Sequence, residues 1–566
     1  MNVTIGAHGA EVLRIPGVVS IRPGYHVENG WITSQPAIVV TVRPQTLGEE
    51  SPTSQLPAKI DDVWIDVTSA VSIRRQTGTA RLGKELVEPE TSWGHESADD
   101  WGLPGEEVVA SGEEAPSPVP QAGLELPTLE YQPPPGIPLA ETIDSMTLTA
   151  HVSPDAGWPT LRGFLDGVKN QLTVAMYDFT APQILDEIIA AVSGTGGKLC
   201  LILDPRLALG SAHDPANPKA HDVTEDVVRA RLTAALGGQL SFEWAAVREM
   251  GKTTAGIFPS AYHIKVAVRD SGSFWLSSGN WQSSNQPNLD PLGSDAGQPD
   301  ILQTYNREWH VILDHPGLAS LYEQYISWDM QQAKPLQEGT ESVQLPSTLA
   351  PAPSALEAMP AARAAPKYFA PLVKTFPTDR PLRVQPLLTP DNYAELILPL
   401  IRSAKTKLYF QNQYIHIGKQ NPDGFKALIG ALRDQQQSGV DVRIILRDIG
   451  QTRLMLEALQ FFGFQMAGVK LQPQCHNKGI VVDSQVAVVG SHNWSAQGTL
   501  RNRDASLIIY DGEVAQYFEQ VFLYYDWDNL AHQKIAPGEA VSLVARDGAP
   551  VPQATPALPW DAFYED

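Results

Sequence analysis

A chain of 566 residues is too long for one hydrophobic core and implies several domains. Its formal net charge of −23 argues against a broad nucleic-acid-binding surface, whose affinity comes from Lys and Arg on phosphates, but leaves room for a small basic site. Two cysteines, Cys200 and Cys475, form no disulfide framework and read as buried free thiols.

The first residues, Met1-Asn-Val-Thr-Ile-Gly, show no basic segment followed by an apolar one. No apolar run reaches the roughly 20 residues that cross a bilayer. The expectation is a cytoplasmic protein without a transmembrane segment, with peripheral contact at a membrane left open.

Residues 1–75 read as a small α+β domain. Val18–Ile21, Ala37–Val42 and Val63–Val67 are β-branched runs bounded by Gly and Pro, which predicts strands. Pro23-Gly24 and Glu28-Asn29-Gly30 predict turns. Residues 76–140 are acidic and Pro-rich with little apolar periodicity, the composition of a linker. A second linker, rich in Ala and Pro, is expected over 334–378, and a tail over 536–566.

Between and after the linkers, 141–333 and 379–535 repeat one another. Each opens with an apolar strand, Leu172–Tyr177 and then Leu408–Ile415. A helix follows, with Ile184, Leu185, Ile188, Ile189 and Val192 on one face in the first and Phe425, Leu428 and Leu432 in the second. Next comes a buried strand ending in Asp, Leu199–Asp204 and Val442–Asp448. Each copy closes on Asn-Arg-acid, a strand and an amphipathic helix. Strands alternating with helices predict α/β layers. Two matched halves predict one pseudo-twofold molecule with equivalent loops face to face.

Each copy carries the same polar constellation. The first reads His263-Ile-Lys265-Val-Ala-Val-Arg-Asp270, then Ser278-Gly-Asn280-Trp281. The second reads His476-Asn-Lys478-Gly-Ile-Val-Val-Asp483, then Ser491-His-Asn493-Trp494. Residues i and i+2 share a strand face, so the His and Lys of each copy point into one pocket. Asp270 and Asp483 fall near the strand ends, where each can support a charge or a turn. The chemistry this suits is phosphoryl transfer. Two lysines neutralise an anionic phosphodiester, one neutral His attacks phosphorus, and the other serves the leaving alcohol and then water. Ser278, Asn280, Ser491 and Asn493 can donate hydrogen bonds to phosphate oxygens. No metal or other cofactor is called for.

In these motifs the chain resembles the phospholipase D superfamily. The resemblance covers both halves and implies a fold of two phospholipase D-like α/β halves sharing one active site, after the small α+β domain. It implies His263, Lys265, Asp270, His476, Lys478 and Asp483 as catalytic residues, with His263 as nucleophile and His476 as general acid, then base. It also implies that a later acid orients a catalytic His; Glu308 of Asn306-Arg-Glu308 and Asp504 of Asn502-Arg-Asp504 match that position. The stretch from Ser283 to Thr304 lengthens the first copy before Asn306. The expected activity is cleavage or transfer at a phospholipid phosphodiester through a phosphohistidine. Alternatives are a metal-independent nuclease, cardiolipin-type phosphatidyl transfer, or an inert module that binds a phosphate ligand. The oligomeric state and the N-terminal domain's role stay open.

Overall fold

The computed structural model describes a few residues between 4 and 15, then 18–28, 31–42, 56–69, 131–205, 222–249, 252–289, 304–337, 373–376, 380–418, 421–448 and 452–532. They belong to two compact units, each taken by itself.

The N-terminal unit contains a four-stranded sheet. Its strands are β1 (Val18–Glu28), β2 (Trp31–Val42), β3 (Lys59–Ile60) and β4 (Val63–Ser69), in the order β1-β2-β4-β3. The turn expected at Pro23-Gly24 is not formed. β1 runs through it, with Pro23 opposite Ile38 and Gly24 opposite Ala37. β1 is an edge strand, and a missing N–H is tolerated there. Ile38, Val40, Val42 and Ile65 form this sheet's core.

In the larger unit the first half contributes β5 (Thr142–Asp144), β6 (Thr147–Ser153), α1 (Gly157–Asp166), β7 (Gln171–Met176), α2 (Pro182–Thr195), β8 (Lys198–Leu203), α3 (Glu225–Leu236), β9 (Leu240–Trp244), β10 (Ala246–Glu249), β11 (Lys252–Gly256), β12 (Lys265–Arg269), β13 (Ser273–Ser277), β14 (Glu308–Asp314) and α4 (Pro316–Gln337). The second contributes β15 (Val373–Phe376), β16 (Leu382–Leu388), α5 (Tyr393–Arg402), β17 (Lys407–Asn412), α6 (Asp423–Gln437), β18 (Asp441–Arg447), α7 (Thr452–Phe461), β19 (Val469–Gln472), β20 (Lys478–Val482), β21 (Val486–Gly490), α8 (Ala496–Leu500), β22 (Ala505–Tyr510) and α9 (Gly512–Gln520), which continues into a π-helix over Val521–Leu530.

Two eight-stranded sheets result, ordered β15-β6-β14-β13-β12-β7-β8-β9 and β5-β16-β22-β21-β20-β17-β18-β19. Strand for strand they match, so the pseudo-twofold α/β plan expected from the duplication is the plan of the molecule. The strands at one edge of each sheet are exchanged. β15, which precedes the second half, pairs with β6 of the first; β5, which precedes the first half, pairs with β16 of the second.

Local chemistry accounts for the helices that cover the sheets. α2 starts on Pro182 and stops at Gly196, whose φ of 70° is left-handed, the conformation in which glycine suffers no Cβ penalty. It buries Ile184, Leu185, Ile188 and Val192. α6 buries Phe425, Leu428, Ile429 and Leu432 at the same 3.6-residue period.

Two boundaries differ from the sequence reading. The expected 334–378 linker contains the end of α4 and all of β15. The expected 76–140 linker ends in packed chain: Tyr131 Oη donates to Asp391 at 2.9 Å, and the Leu139 carbonyl accepts from Gln385. Residues 76–130 lie outside the described residues, as does the 536–566 tail. Among the described residues no helix is long and apolar enough to cross a membrane.

Candidate active site

β12 and β20 are equivalent central strands, and His263-x-Lys265 and His476-x-Lys478 stand at their starts. All four side chains are buried, with His263 5% and His476 4% exposed. The halves meet here in a reciprocal way. The Arg307 N–H donates to the Gln474 carbonyl and the Arg503 N–H to the Ala261 carbonyl, each acceptor two residues before a motif His. Each Asn-Arg-acid segment is thereby laid along the other half's motif.

The acids cross over as a consequence. His263 Nδ1 lies 2.7 Å from Asp504 Oδ1, and His476 Nδ1 lies 2.5 Å from Glu308 Oε1. The preceding arginines cross as well. Arg307 Nε donates to Asp526 at 3.0 Å, and Arg503 Nη2 to Asp329 at 2.7 Å. Each arginine also binds an aspartate of its own half, Asp155 or Asp391. A buried guanidinium needs such partners, because a lone charge in this medium costs several kcal/mol.

The lysines close the cluster. Lys478 Nζ donates to the Ser278 carbonyl of the first half at 3.2 Å and to its own His476 carbonyl at 2.6 Å. Lys265 Nζ donates to the His263 carbonyl at 2.5 Å and sits 4.9 Å from the centre of the Tyr177 ring. That ring packs edge-on against His263.

Asp270 and Asp483 stand elsewhere. They end the strands on the turn residues, at φ 52° and 50°. Asp270 accepts from the N–H groups of Lys169, Asn170 and Gln171; Asp483 accepts from those of Lys405, Thr406 and Lys407. Five residues of strand, about 16 Å at 3.3 Å each, separate them from the lysines. Of the two uses the sequence allowed them, the structure shows the turn.

Ser278 and Ser491 are also engaged differently from the phosphate-donor expectation. Ser278 Oγ donates to Glu308 at 2.5 Å and accepts from the Trp309 N–H; Ser491 Oγ donates to Asp504 at 2.6 Å and accepts from the Ala505 N–H. They hold the acids. Asn280 and Asn493 each leave Oδ1 buried without a hydrogen-bond partner among the described residues. His492 bridges Thr389 and Ser506 and stacks on Tyr393, which is a packing position.

Sequence reasoning missed Asn285, whose amide donates to Glu308 and lies 3.3 Å from His476 Nδ1. The lengthened stretch therefore begins inside the site; 290–303 lie outside the described residues. It also missed Arg307 and Arg503, although the repeated Ser153-Pro-Asp155 and Thr389-Pro-Asp391 offered a signal for their partners.

Burial governs the electrostatics, and it treats the two pairs differently. Burial pushes His263 down to about 4, Lys265 adding to the effect and Asp504 opposing it. Burial also takes His476 well below its ordinary value, with Lys478, Arg447 and Lys265 pushing the same way. Burial lifts Glu308 to about 7, only partly opposed by Lys478, Ser278 and Asn285. Asp504 feels the same burial, but His263 and His492 outweigh it and hold the carboxyl below the usual range. Burial brings Lys478 down to about 8 and takes Lys265 well below its usual value. One pair thus holds a carboxylate ionised well below neutrality and the other a carboxyl that exchanges its proton near neutrality.

Residues 397–527 match the family described as cardiolipin synthase, PLD-like domain. The chain is 32% identical to a phospholipase D of Rickettsia bellii strain RML369-C over 98 residues, 17% of this chain and 49% of that protein. It is 28% identical to cardiolipin synthase A of Pseudomonas entomophila strain L48 over 173 residues, 26% of this chain and 34% of that protein. The chain thus spans about half the length, or less, of these curated relatives. Phosphatidylserine synthase of Haemophilus influenzae Rd KW20 superposes with a TM-score of 0.42 at 15% identity, covering 68% of this chain and 87% of that one. Residues 397–527 thus match a PLD-like domain, and over both this domain and the duplicated motifs the chain is similar to the phospholipase D superfamily.

Proposed function

We propose that the chain is a phosphodiesterase of the phospholipase D type, which hydrolyses a phospholipid phosphodiester or transfers its phosphatidyl group to another alcohol. The observation that carries this reading is the exchange of acids: each motif His is held by a carboxyl group of the other half, and the surroundings shift the two carboxyls in opposite directions.

This difference supports a division of roles. Ionised Asp504 accepts the Nδ1 proton of neutral His263, which leaves the Nε2 lone pair free to attack phosphorus. Protonated Glu308 donates to His476 Nδ1 and so keeps the remaining imidazole proton on Nε2, ready for the leaving oxygen. In the first step a bond forms from His263 Nε2 to phosphorus. The bond from phosphorus to the alcohol oxygen breaks, and His476 Nε2–H protonates that oxygen as the Glu308 proton passes to His476 Nδ1. In the second, His476 Nε2 takes a proton from water or a second alcohol as its oxygen attacks phosphorus, the Nδ1 proton returns to Glu308, and the P–N bond breaks. Lys265 and Lys478 face the phosphate oxygens, and the Asn280 and Asn493 amides complete the cradle. Asp270 and Asp483 take no part.

Incubation with bis(p-nitrophenyl) phosphate in chelator tests the reaction class; turnover is expected, and its absence sinks the reading. A panel of mixed phospholipids with labelled DNA and RNA then separates lipid from nucleic-acid cleavage, with lipid products expected. His476→Ala with the p-nitrophenyl ester, whose leaving group needs no proton, should accumulate a phosphohistidine at His263.

A further inference from the structure

The two strands leading to the site diverge at one position. Lys198 is paired with Gln171 and Asp441 with Lys407 at equivalent strand starts; six residues further along each strand stand Asp204 and Arg447. The sequence alone suggested Asp448 as the counterpart of Asp204, and the ladder register moves that place to Arg447. Asp204 accepts the Tyr262 N–H, next to His263. Arg447 has no such anchoring role.

Arg447 ends β18 opposite Gln472, on the face that carries Ile445. Ile445 pairs with Gln411, and Gln411 with Gly479, whose bare Cα is covered by the Trp309 ring of the first half. That face therefore looks to where the halves meet. The Arg447 charge bears on His476 and Lys478, and Glu308 bears on Arg447 in return.

The guanidinium is partly buried, and among the described residues it makes no hydrogen bond or ion pair. Arg307 and Arg503, by contrast, each hold two aspartates. An unpaired, partly desolvated guanidinium beside a second cation is unfavourable until an anion arrives. Its planar fork matches phosphate and carboxylate oxygens. Lys265 and Lys478 already serve the scissile phosphate.

We infer that Arg447 is a specificity-determining residue on the leaving-group side. It receives a second anionic group, so the preferred substrate is a phosphodiester whose leaving alcohol itself bears a phosphate or a carboxylate. The inference rests on the proposed role of His476 as the acid that protonates that alcohol.

The test compares short-chain phosphatidylcholine, phosphatidylserine and phosphatidylglycerol phosphate, with bis(p-nitrophenyl) phosphate as the reference, in the full chain. The expected kcat/KM ratio of an anionic head group over choline is about ten-fold or more. It should fall to near one in Arg447→Ala, drop below one in Arg447→Glu and be partly kept in Arg447→Lys, with the change mainly in KM. Comparing ratios within each variant cancels any effect of Arg447 on His476. The phosphate and carboxylate arms identify which anion is taken. In the parent protein, glycerol 3-phosphate should inhibit at about ten-fold lower concentration than choline, a readout that needs no variant. A ratio near one in the parent, or one unchanged in Arg447→Ala, overturns the inference while leaving the phosphodiesterase reading intact. Failure to turn over the reference ester overturns both.

Discussion

The two halves share one eight-stranded plan yet fill equivalent positions with different chemistry. Glu308 corresponds to Asp504, Trp309 to Ala505 and Gly279 to His492. What stays the same is what the halves exchange, an arginine and an acid, together with the serine of the same half that holds each acid. What varies surrounds those groups and sets their charge. A duplicated frame can thus make two imidazoles unequal while keeping their geometry, and inequality is what a nucleophile and an acid require.

The largest expected effect comes from equalising the acids. Asp504→Asn removes the carboxylate that fixes the His263 tautomer and should lower kcat by roughly 10^3- to 10^4-fold. Glu308→Gln mimics the protonated carboxyl proposed for catalysis and, with an ester whose leaving group needs no proton, should cost only about ten-fold, the size of one neutral hydrogen bond. Steady-state kinetics on the p-nitrophenyl diester decide it; equal losses would erase the proposed difference.

The crossed arginines test how far one half depends on the other. Arg307→Met leaves Asp155 and Asp526 facing a buried gap, and Arg503→Met does the same to Asp329 and Asp391. Each should destabilise by about 3–5 kcal/mol in denaturant unfolding. A loss below about 1 kcal/mol would show that the crossings are dispensable.

The pH profile sharpens the comparison further. His263 must be neutral, so activity is lost as pH falls through about 4. Glu308 must hold its proton, so activity is lost as pH rises through about 7. In Glu308→Gln the limb at about 7 should disappear, and Lys478, no longer raised by Glu308, should lose its charge below its parent value of about 8. An upper limb that stays at its parent position would assign it to another group.

The smallest effect is expected at the two turn aspartates. Asp270→Ala and Asp483→Ala each lose caps on three backbone N–H groups and place alanine at positive φ, which should cost about 1–3 kcal/mol of stability. kcat at a permissive temperature should stay within about two-fold of the parent. A loss of more than about 100-fold in kcat with folding intact would return them to the chemistry.

Much of this site was legible in the sequence because it is written twice. Repetition exposed His263, Lys265, His476 and Lys478, and strand periodicity put each pair on one face. The acids were legible by family resemblance, but not their crossing, since nothing local records that Glu308 serves His476 across 168 residues. The serines were misread because a hydroxyl beside a phosphate site looks like a donor to it, whereas a buried carboxyl competes more strongly. Asn285 sits in an insertion with no counterpart to compare. At Pro23-Gly24 turn chemistry yielded to edge-strand pairing, and β5 and β15 are too short for periodicity to show.

The exchanged edge strands bear on how the chain is made. Synthesis runs from the N-terminus, so a ribosome that has reached Gln337 has completed β6 but not β15, the strand that covers β6. The emerging first half then carries an open sheet edge, an Arg307 without Asp526 and a His263 without Asp504. β5, already made, must wait for β16. An open edge is a template for pairing with a stranger, so the interval between translating residues 337 and 526 is when a nascent chain of this protein is most exposed to chaperones, and to its own neighbours on a crowded polysome.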